Sequence, residues 1–244
     1  MILLEEGRLD LDAPVVEYLP WWAAGDPRKE RVTVRHLLLH RSGLPPFRLF
    51  YLEMEGRDAY RTAIGELALE YDPGTQTVYS DIGFMTLAFI IERLSGQGLD
   101  EFLDERVWDR LGMNETRFRP TDALRARIAP TEVDTLFRNT HVHGVVHDEN
   151  AYAMGGVAGH AGLFSNAADL AVLAQTLLDG GLVAGCEQDA PDSSGGDSDA
   201  SSPDAAASSD SICAAGVGGA VRLVSEATVR TFTTRFDSQA SRAL

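Results

Sequence analysis

The sequence contains almost no lysine: Lys29 is the only one among 244 residues, and the other basic side chains are arginines. A phosphate-binding loop of the G-x-x-x-x-G-K-[ST] type needs a lysine inside a glycine-rich stretch. Lys29 lies in "DPRKE", which lacks that glycine pattern, so this class of nucleotide site is excluded. Acidic residues also outnumber basic ones, and the net charge of −16 predicts no binding to nucleic acid, because phosphates attract basic surfaces.

Long apolar runs and cysteines are scarce too. No apolar run reaches the ~20 residues of a membrane-spanning helix, which predicts no transmembrane segment in this chain. No signal peptide is recognised at Met1. The two cysteines, Cys186 and Cys213, either form a disulfide in an oxidising compartment or remain separate thiols.

The cysteines enclose a segment of unusual composition. Residues 186–216 contain seven acidic residues, no basic residue and almost no large apolar side chain, which leaves a net charge of −9 for the rest. Such a segment buries too little apolar surface to offset its chain entropy. We therefore predict a disordered acidic insertion at 186–216, within a domain formed by residues 1–185 and 217–244.

Limited proteolysis is expected to cleave the chain first within residues 186–216, because an exposed polar loop enters a protease site more easily than packed helices do. Mass spectrometry of the earliest fragments measures the cleavage sites. Strong hydrogen-exchange protection across the segment would contradict the prediction.

Apolar spacing predicts helices in most of the remaining sequence and few strands. The clearest helix follows "TVYSD", where Ile82, Met85, Phe89 and Ile90 share one face and Gly96 provides a C-terminal stop. Residues 114–160 are expected to be irregular. Further helices are predicted after Thr33, over 58–70, within "GLDEFLDERVWDRLGM", within "SNAADLAVLAQTLLDGG" with Asn166 and Asp169 as a capping box, and from Ser225, after a strand-like 220–225.

Tyr79, Ser80 and Asp81 precede the clearest helix and allow two interpretations. Ser80 or Asp81 accepts hydrogen bonds from the first-turn N–H groups, as an ordinary N-cap does. Alternatively, the three polar side chains form the rim of an active site. This stretch alone does not separate a cap from a rim.

Histidines are concentrated in "HVHGVVHDEN", which suggests zinc because imidazole and carboxylate groups are good zinc ligands. The H-x-H-x-D-H signature of metallo-β-lactamase-type zinc hydrolases would need Asp at 145 and His at 146, and both are valine. We therefore interpret the segment as a polar loop and predict no metal site. A G-x-S-x-G nucleophile elbow is also lacking.

The chain contains, in order, "LLEEGRLDLDAPVVEYLP", "VTVRHLLLHRSGLP", "YDPGTQTVYSDIGFM", "IIERLSGQGLDEFLDERVWDRLGMNETRF" and "GGVAGHAGLFSNAADLA". In this order the fragments resemble the serine β-lactamase-related family, which groups class C β-lactamases, penicillin-binding D-Ala-D-Ala carboxypeptidases and β-lactamase-like esterases. The resemblance implies an α+β, β-lactamase/transpeptidase-like fold. Mostly its helical part is expected here, with an incomplete antiparallel sheet, as if the domain were truncated at both ends.

The resemblance further implies a serine hydrolase that forms an acyl-enzyme from a β-lactam, a D-Ala-D-Ala peptide or an ester, without metal or organic cofactor. The family uses three motifs, S-x-x-K, Y-x-N or S-x-N, and a [K/H]-[T/S]-G strand. Tyr79-Ser80-Asp81 matches the second, which makes Tyr79 the catalytic candidate and Ser80 and Asp81 pocket candidates. Asp81 departs from the asparagine of the pattern and offers no donor to a substrate carbonyl, which weakens the case for lactam recognition.

The first motif is missing, because the residue three before Lys29 is Asp26. The chain as given is therefore expected to be inactive, and the alternatives are a ligand-binding pseudo-enzyme or an inactive gene fragment. Its apolar start at Met1 has no capping residue and resembles the tail of a longer helix, so the serine is expected upstream. Family members are often exported, and any export signal would also lie upstream, which leaves the localisation open.

The stretch "GHAG" at 159–162 imitates the third motif. It leads directly into the helix of "LFSNAADLA", however, whereas the family's third motif lies on a strand further towards the C-terminus. His160 is retained as a pocket candidate together with His147, Asp148 and Asn150. The alternative is a glycine-rich loop packed beneath the site.

Overall fold

The computed structural model describes residues 1–183 and 221–234. Cys186, Cys213 and the predicted insertion at 186–216 lie outside the described residues. Within them, no helix is both long and apolar enough to cross a membrane. The α-helices are α1 (Ile2–Glu5), α2 (Val15–Tyr18), α3 (Val34–Leu38), α4 (Arg57–Glu66), α5 (Asp81–Ser95), α6 (Leu99–Leu103), α7 (Asp109–Leu111), α8 (Glu149–Ala153), α9 (Ala167–Leu178) and α10 (Glu226–Thr233).

Shorter helical turns connect some of these helices. A π-helical turn, Asp104–Trp108, joins α6 to α7, so that the three pieces continue one another. Gly112 ends them in the left-handed conformation, which glycine adopts without strain. The 3-10 turns are Pro27–Arg31, Phe50–Leu52 and Asp122–Arg127.

Four short strands form two separate antiparallel pairs in the described part of the chain. The strand β1 (Arg117–Phe118) pairs with β4 (Leu163–Phe164), and β2 (Glu132–Asp134) pairs with β3 (Thr140–Val142). Many helices and two small antiparallel pairs agree with the expected α+β class and its incomplete sheet. The irregular structure predicted for 114–160 is only partly correct, because β1, β2, β3, the 3-10 turn Asp122–Arg127 and α8 fall within it.

Helix α5 lies at the centre of the main apolar core. The side chains of Ile82, Met85, Phe89 and Ile90 are at most 1% exposed and pack among residues of α2, α3, α4 and α8. Ser80 is its N-cap, and the Ser80 Oγ accepts a hydrogen bond from the Gly83 N–H at 3.2 Å. Gly96 ends the helix with φ +77°, which a glycine adopts without strain. Both ends agree with the sequence prediction.

Helix α4 ends earlier than predicted, at Glu66 instead of residue 70. The chain beyond it becomes extended because other segments bind its backbone. The Leu69 N–H donates to Asp26 Oδ2 at 2.9 Å, and the Glu70 N–H donates to the Gly43 carbonyl at 2.8 Å. These partners are distant in sequence, so helical periodicity alone extends the helix too far.

Two other local predictions are half right. Asn166 caps α9 by accepting from the Asp169 N–H at 2.8 Å, but the Asp169 carboxylate does not return the bond. Asp169 Oδ2 instead accepts from Glu115 N and Thr116 Oγ1. The strand-like 220–225 contributes a single antiparallel bridge to Leu182, and Ser225 then caps α10 as predicted.

The second described range packs against the first. Phe232 of α10 contacts the main core, and the Ser225 N–H donates to the Glu5 carboxylate near the end of α1. The structure therefore brings residues 221–234 back onto the body formed by residues 1–183.

Candidate active site

The polar residues before α5 form a rim whose backbone is fixed by the loop "HRSGLPP". Ser80 is 1% exposed, and its Oγ donates to the Pro45 carbonyl at 2.7 Å while it caps the helix. The Asp81 N–H donates to the Pro46 carbonyl at 2.9 Å. Ser80 is thus an interior cap, and Asp81 opens the first turn of α5.

Tyr79 is the outermost of the three predicted rim residues, with 66% of its surface exposed. Its ring centroid lies 4.5 Å from that of His40, at an interplanar angle of 35°. The Tyr79 hydroxyl makes no hydrogen bond to any residue that the structure describes. The phenol is therefore available to a ligand at the surface.

His40 is a residue of this rim that sequence reasoning missed. The imidazole is stacked on Phe84 at 5.0 Å, and its Nδ1 accepts a hydrogen bond from the Ser80 N–H at 3.1 Å. The backbone of His40 has φ +55°, in the left-handed region that usually favours glycine after a helix. His40 lies two positions beyond the end of α3, where a left-handed residue is usually glycine. The presence of histidine there is the feature of the sequence that could have identified it.

Burial lowers the pKa of His40 below its usual value of 6.5, and the negative charge of Asp81 opposes this change. The lowered pKa agrees with the hydrogen bond, because an Nδ1 that accepts from an N–H carries no proton. His40 is therefore neutral in this geometry near neutral pH.

His147 and Asp148 line a separate cleft of about 720 Å³ between residues 115–131, 145–149 and 161–166. Leu124, Ile128 and Phe164 contribute apolar wall to this cleft. Tyr79, Ser80, Asp81, Asn150 and His160 are not among the residues that line it. The sequence-predicted site is thus divided between the rim at α5 and the cleft.

Asp148 and His160 form a hydrogen-bonded pair beside the cleft. The distance from His160 Nε2 to Asp148 Oδ1 is 2.9 Å, and Asp148 also caps α8 by accepting from the Ala151 N–H at 2.7 Å. Burial raises the pKa of Asp148, but hydrogen bonds from His160 and the backbone outweigh it, so the pKa lies below its usual value. The His160 side chain is 2% exposed, and its Nδ1 has no partner among the described residues.

Asn150 is a structural link, 7% exposed. Its Oδ1 accepts from the Tyr60 hydroxyl at 2.9 Å and from the Tyr51 N–H at 3.1 Å, and its Nδ2 donates to the Arg48 carbonyl at 2.9 Å. Burial raises the pKa of Tyr60 well above its usual range, which keeps that hydroxyl a donor. All the polar atoms of the Asn150 side chain are therefore occupied by the protein.

The histidines of "HVHGVVHDEN" do not converge. His143 Nε2 lies 2.8 Å from the carbonyls of Arg125 and Ile128, and His147 Nε2 lies 3.3 Å from Glu132 Oε1. His141 lies on β3, exposed. Within 1–183 and 221–234, no three His, Cys, Asp or Glu residues are grouped so that they could hold a metal ion.

The glycine-rich loop 159–162 connects the rim with the cleft. A Cβ atom at Gly159 would lie 2.1 Å from the Phe84 carbonyl oxygen, so only glycine allows the loop to approach α5 this closely. Phe84 stacks on His40 on the rim side, and Ala161 lines the cleft on the other. The loop thus packs directly beneath the candidate site, and its His160 contacts the cleft residue Asp148.

The single lysine is not part of either region. Lys29 has no exposed surface, and its Nζ donates to the carbonyls of Ile64 and Gly65 at 2.6 and 2.8 Å. It also lies 4.4 Å above the Trp22 ring. Lys29 binds the end of α4 in the core, so it cannot serve as a catalytic lysine beside Tyr79.

Comparison with solved structures defines the fold class. A penicillin-binding protein homologue from Pyrococcus abyssi superposes with a TM-score of 0.55 at 25% identity, covering 73% of this chain and 41% of that one. A beta-lactamase/D-alanine carboxypeptidase from Yersinia pestis superposes with a TM-score of 0.56 at 21% identity, covering 72% and 48%. The described residues therefore have the β-lactamase/transpeptidase-like fold.

Sequence comparison then gives the family. The family model described as Beta-lactamase matches residues 1–209, and the chain belongs to this family. A protein of Escherichia coli K12 named "Putative D-alanyl-D-alanine carboxypeptidase" is 38% identical over 203 residues, which cover 73% of this chain and 47% of that protein. An N-acetylmuramyl-L-alanine amidase of Bacillus subtilis strain 168 is 36% identical over 203 residues, covering 73% and 46%. The chain spans about half the length of these curated relatives.

Proposed function

We propose that this chain supplies the tyrosine side of a serine hydrolase of the β-lactamase, D-Ala-D-Ala carboxypeptidase or esterase type. Its substrate is an acyl compound, namely a β-lactam, a D-Ala-D-Ala peptide or an ester. The observation that supports this most is the position of Tyr79, a 66% exposed phenol beside a rigid helix cap in a β-lactamase family chain. Residues 1–185 and 217–244 are proposed to belong to one domain, with 186–216 inserted.

In the proposed reaction, a serine Oγ attacks the acyl carbonyl carbon and gives up its proton to the Tyr79 phenolate. The tetrahedral intermediate expels an amine or alcohol, which takes that proton from the Tyr79 hydroxyl. Water then attacks the acyl-enzyme carbonyl carbon and gives one proton to the Tyr79 phenolate, and the Tyr79 hydroxyl returns that proton to the departing serine oxygen as the carboxylic acid is released.

A tyrosine with an ordinary pKa near 10 needs a nearby cation to act as a base at neutral pH. Lys29 cannot provide that charge, because its Nζ is bound to the carbonyls of Ile64 and Gly65 inside the core. The serine and lysine of an S-x-x-K element are therefore proposed to come from outside this chain.

A second candidate function is ligand binding without catalysis. It is favoured by the missing S-x-x-K element and by Asp81, which stands where the family pattern has asparagine. In that case the cleft beside His147 and Asp148 binds the acyl compound without cleaving it. The two candidates are distinguished by whether the gene encodes an in-frame S-x-x-K serine upstream of Met1. The hydrolase requires this serine, and a ligand-binding protein does not.

Residues 1–244 alone are expected to show no covalent labelling by a fluorophosphonate or a fluorescent penicillin, because they lack the nucleophile. The same probes should label a longer gene product that includes an in-frame S-x-x-K. Gel fluorescence and mass spectrometry measure the label, and a chromogenic ester and cephalosporin measure turnover. Probe attached to a serine of residues 1–244, or burst kinetics with either substrate, would contradict the proposal.

A further inference from the structure

We propose that His40 is the positioning residue of the rim: its neutral imidazole holds the Tyr79 ring through a tilted ring contact and the Ser80 backbone by accepting its N–H. This inference rests on the proposed role of Tyr79 and identifies the group that keeps this side chain in place. His40 acts through Tyr79 and Ser80 and does not itself react with substrate.

Contacts between aromatic rings restrict the Tyr79 side chain. An exposed tyrosine samples several rotamers unless a neighbour restricts it. The His40 imidazole lies between two rings, 4.5 Å from that of Tyr79 and 5.0 Å from that of Phe84. Phe84 belongs to the first turn of α5, so the stack connects the exposed phenol to the buried helix.

Hydrogen bonds of His40 restrict the backbone on both sides of Tyr79. His40 Nδ1 accepts from the Ser80 N–H at 3.1 Å, and the His40 carbonyl accepts from the Val78 N–H at 2.9 Å. The His40 N–H donates to the Leu37 carbonyl at 3.1 Å. His40 thus connects the residues before and after Tyr79, Val78 and Ser80, to the end of α3. These bonds fix the backbone from which the Tyr79 side chain extends.

This arrangement depends on the protonation state of His40. A proton on Nδ1 would replace an acceptor by a donor facing the Ser80 N–H, so the protonated imidazole loses this bond. The titratable groups that face the ring are Tyr79 and Asp81; the neighbouring Arg41 guanidinium donates to the Gly74 carbonyl. The negative charge of Asp81 favours protonation of the His40 imidazole, and burial of the imidazole disfavours it more strongly.

The direction of the pH effect follows from that balance. The pKa of His40 in the folded chain is below the usual value of 6.5, so the unfolded chain takes up the proton first as the pH falls. The stabilisation of the rim by the neutral His40 imidazole is complete above about pH 6.5, and it is lost as the pH falls through the lowered pKa of His40. Acid is therefore expected to release Tyr79 while most of the core stays folded.

The test is an NMR titration of the whole chain with ring-labelled tyrosine and histidine, in which a Tyr79→Phe sample identifies the Tyr79 signal. The Tyr79 ring shifts are expected to change between pH 7.5 and 4.5 with the same midpoint, below 6.5, as the His40 imidazole. In Asp81→Asn, both midpoints should move lower together, because a charge that favours the proton is removed. Tyr79 shifts that stay constant while His40 titrates would overturn the proposal.

Two substitutions separate the ring from the acceptor. In His40→Asn, an amide oxygen replaces Nδ1 at a position where asparagine tolerates the left-handed backbone, so the Ser80 N–H stays protected but Tyr79 loses the ring it contacts. In His40→Phe, the ring remains, and the protection factor of the Ser80 N–H at pH 7.5 should be as low as in the acid form of the native chain. Both variants should lose the pH dependence of Tyr79, and a dependence retained in either one contradicts the proposal.

Circular dichroism and the methyl signals of the core show whether each variant is folded, and the titration of the native chain needs no variant. These measurements record the position of a ring and the exchange of an amide rather than turnover. A catalytically silent Tyr79 would therefore refute the proposed function and leave this result unaffected.

Discussion

Replacing Lys29 by alanine is expected to lower the free energy of unfolding by about 3–5 kcal/mol. The side chain is fully buried, and the change removes three methylene groups, two Nζ hydrogen bonds and a contact over the Trp22 ring. The carbonyls of Ile64 and Gly65 lose their charged donor at the end of α4, where a cation also complements the helix dipole.

Urea unfolding followed by circular dichroism measures this loss. Arg31→Ala is the matched control: it lies in the same 3-10 turn, its side chain is 66% exposed, and its nearest carboxylate is Asp72 at 3.9 Å. The control should change stability by no more than about 0.5 kcal/mol. Lys29→Met refills most of the volume, so it should recover the packing part of the loss. Equal stability of Lys29→Ala and the native chain would contradict the burial of this lysine.

The dependence of stability on alkaline pH provides a second measure of the burial of Lys29. Burial lowers its pKa to about 8, against 10.5 for an ordinary lysine, so between these values the unfolded chain holds the extra proton. Stability attributable to Lys29 therefore rises with pH across this interval, by roughly 3 kcal/mol. The difference between the native chain and Lys29→Met should show the rise, because the methionine cannot titrate. A difference that stays flat from pH 8 to 10.5 would place the ammonium in solvent.

Those parts of the fold that depend on near neighbours in sequence were predictable. Ser80 and Gly96 bound α5 through hydrogen bonds and a backbone conformation that involve only adjacent turns. Helix α4 shows the limit, because Asp26 and Gly43 determine where it ends. The strand pair β2–β3 was also missed, since its strands are only three residues long and show no useful alternation.

A buried ion pair that periodicity does not reveal also stabilises the connection between β2 and β3. Asp134 accepts from Arg138 Nε at 2.7 Å, and the Arg138 guanidinium donates to the carbonyls of Val146 and His147. Hydrogen bonds from Arg138 and the backbone keep the pKa of Asp134 well below its usual range. This pair fixes the chain that carries His147 to the cleft.

The sequence predicts which types of residue form the candidate site, but it does not predict how they are arranged in space. Tyr79 could be singled out because a family motif is contiguous in sequence, whereas His40 lies 39 positions away and meets it only after α3 and α5 pack. Asn150 looked like a pocket residue because its amide is polar, yet its bonds to Tyr60, Tyr51 and Arg48 occupy it in the interior. Polarity identifies candidates, and tertiary contacts decide between a structural and a functional role.

Tyr79→Phe is expected to lower the rate of acyl transfer by roughly 10²–10⁴-fold in a longer gene product that carries S-x-x-K, the range typical of losing a general acid–base group. The substitution removes only the hydroxyl, which has no hydrogen-bond partner in the described part of the chain, and it keeps the ring that contacts His40. Folding should therefore be unchanged, and the loss should appear in kcat as well as in kcat/KM, because the hydroxyl acts on the transition state.

Tyr152→Phe is the matched control, because Tyr152 is also a surface tyrosine, 43% exposed, and lines neither the rim nor the cleft. Its turnover should equal that of the unchanged protein. Pre-steady-state labelling by a fluorescent penicillin measures acylation, and hydrolysis of a chromogenic ester measures the complete cycle. Since the phenol donates the leaving-group proton in the proposed mechanism, esters with acidic leaving alcohols should lose less rate in Tyr79→Phe than amides do. Equal turnover of Tyr79→Phe and Tyr152→Phe on both substrates would make Tyr79 a neighbour of the Ser80 cap and nothing more.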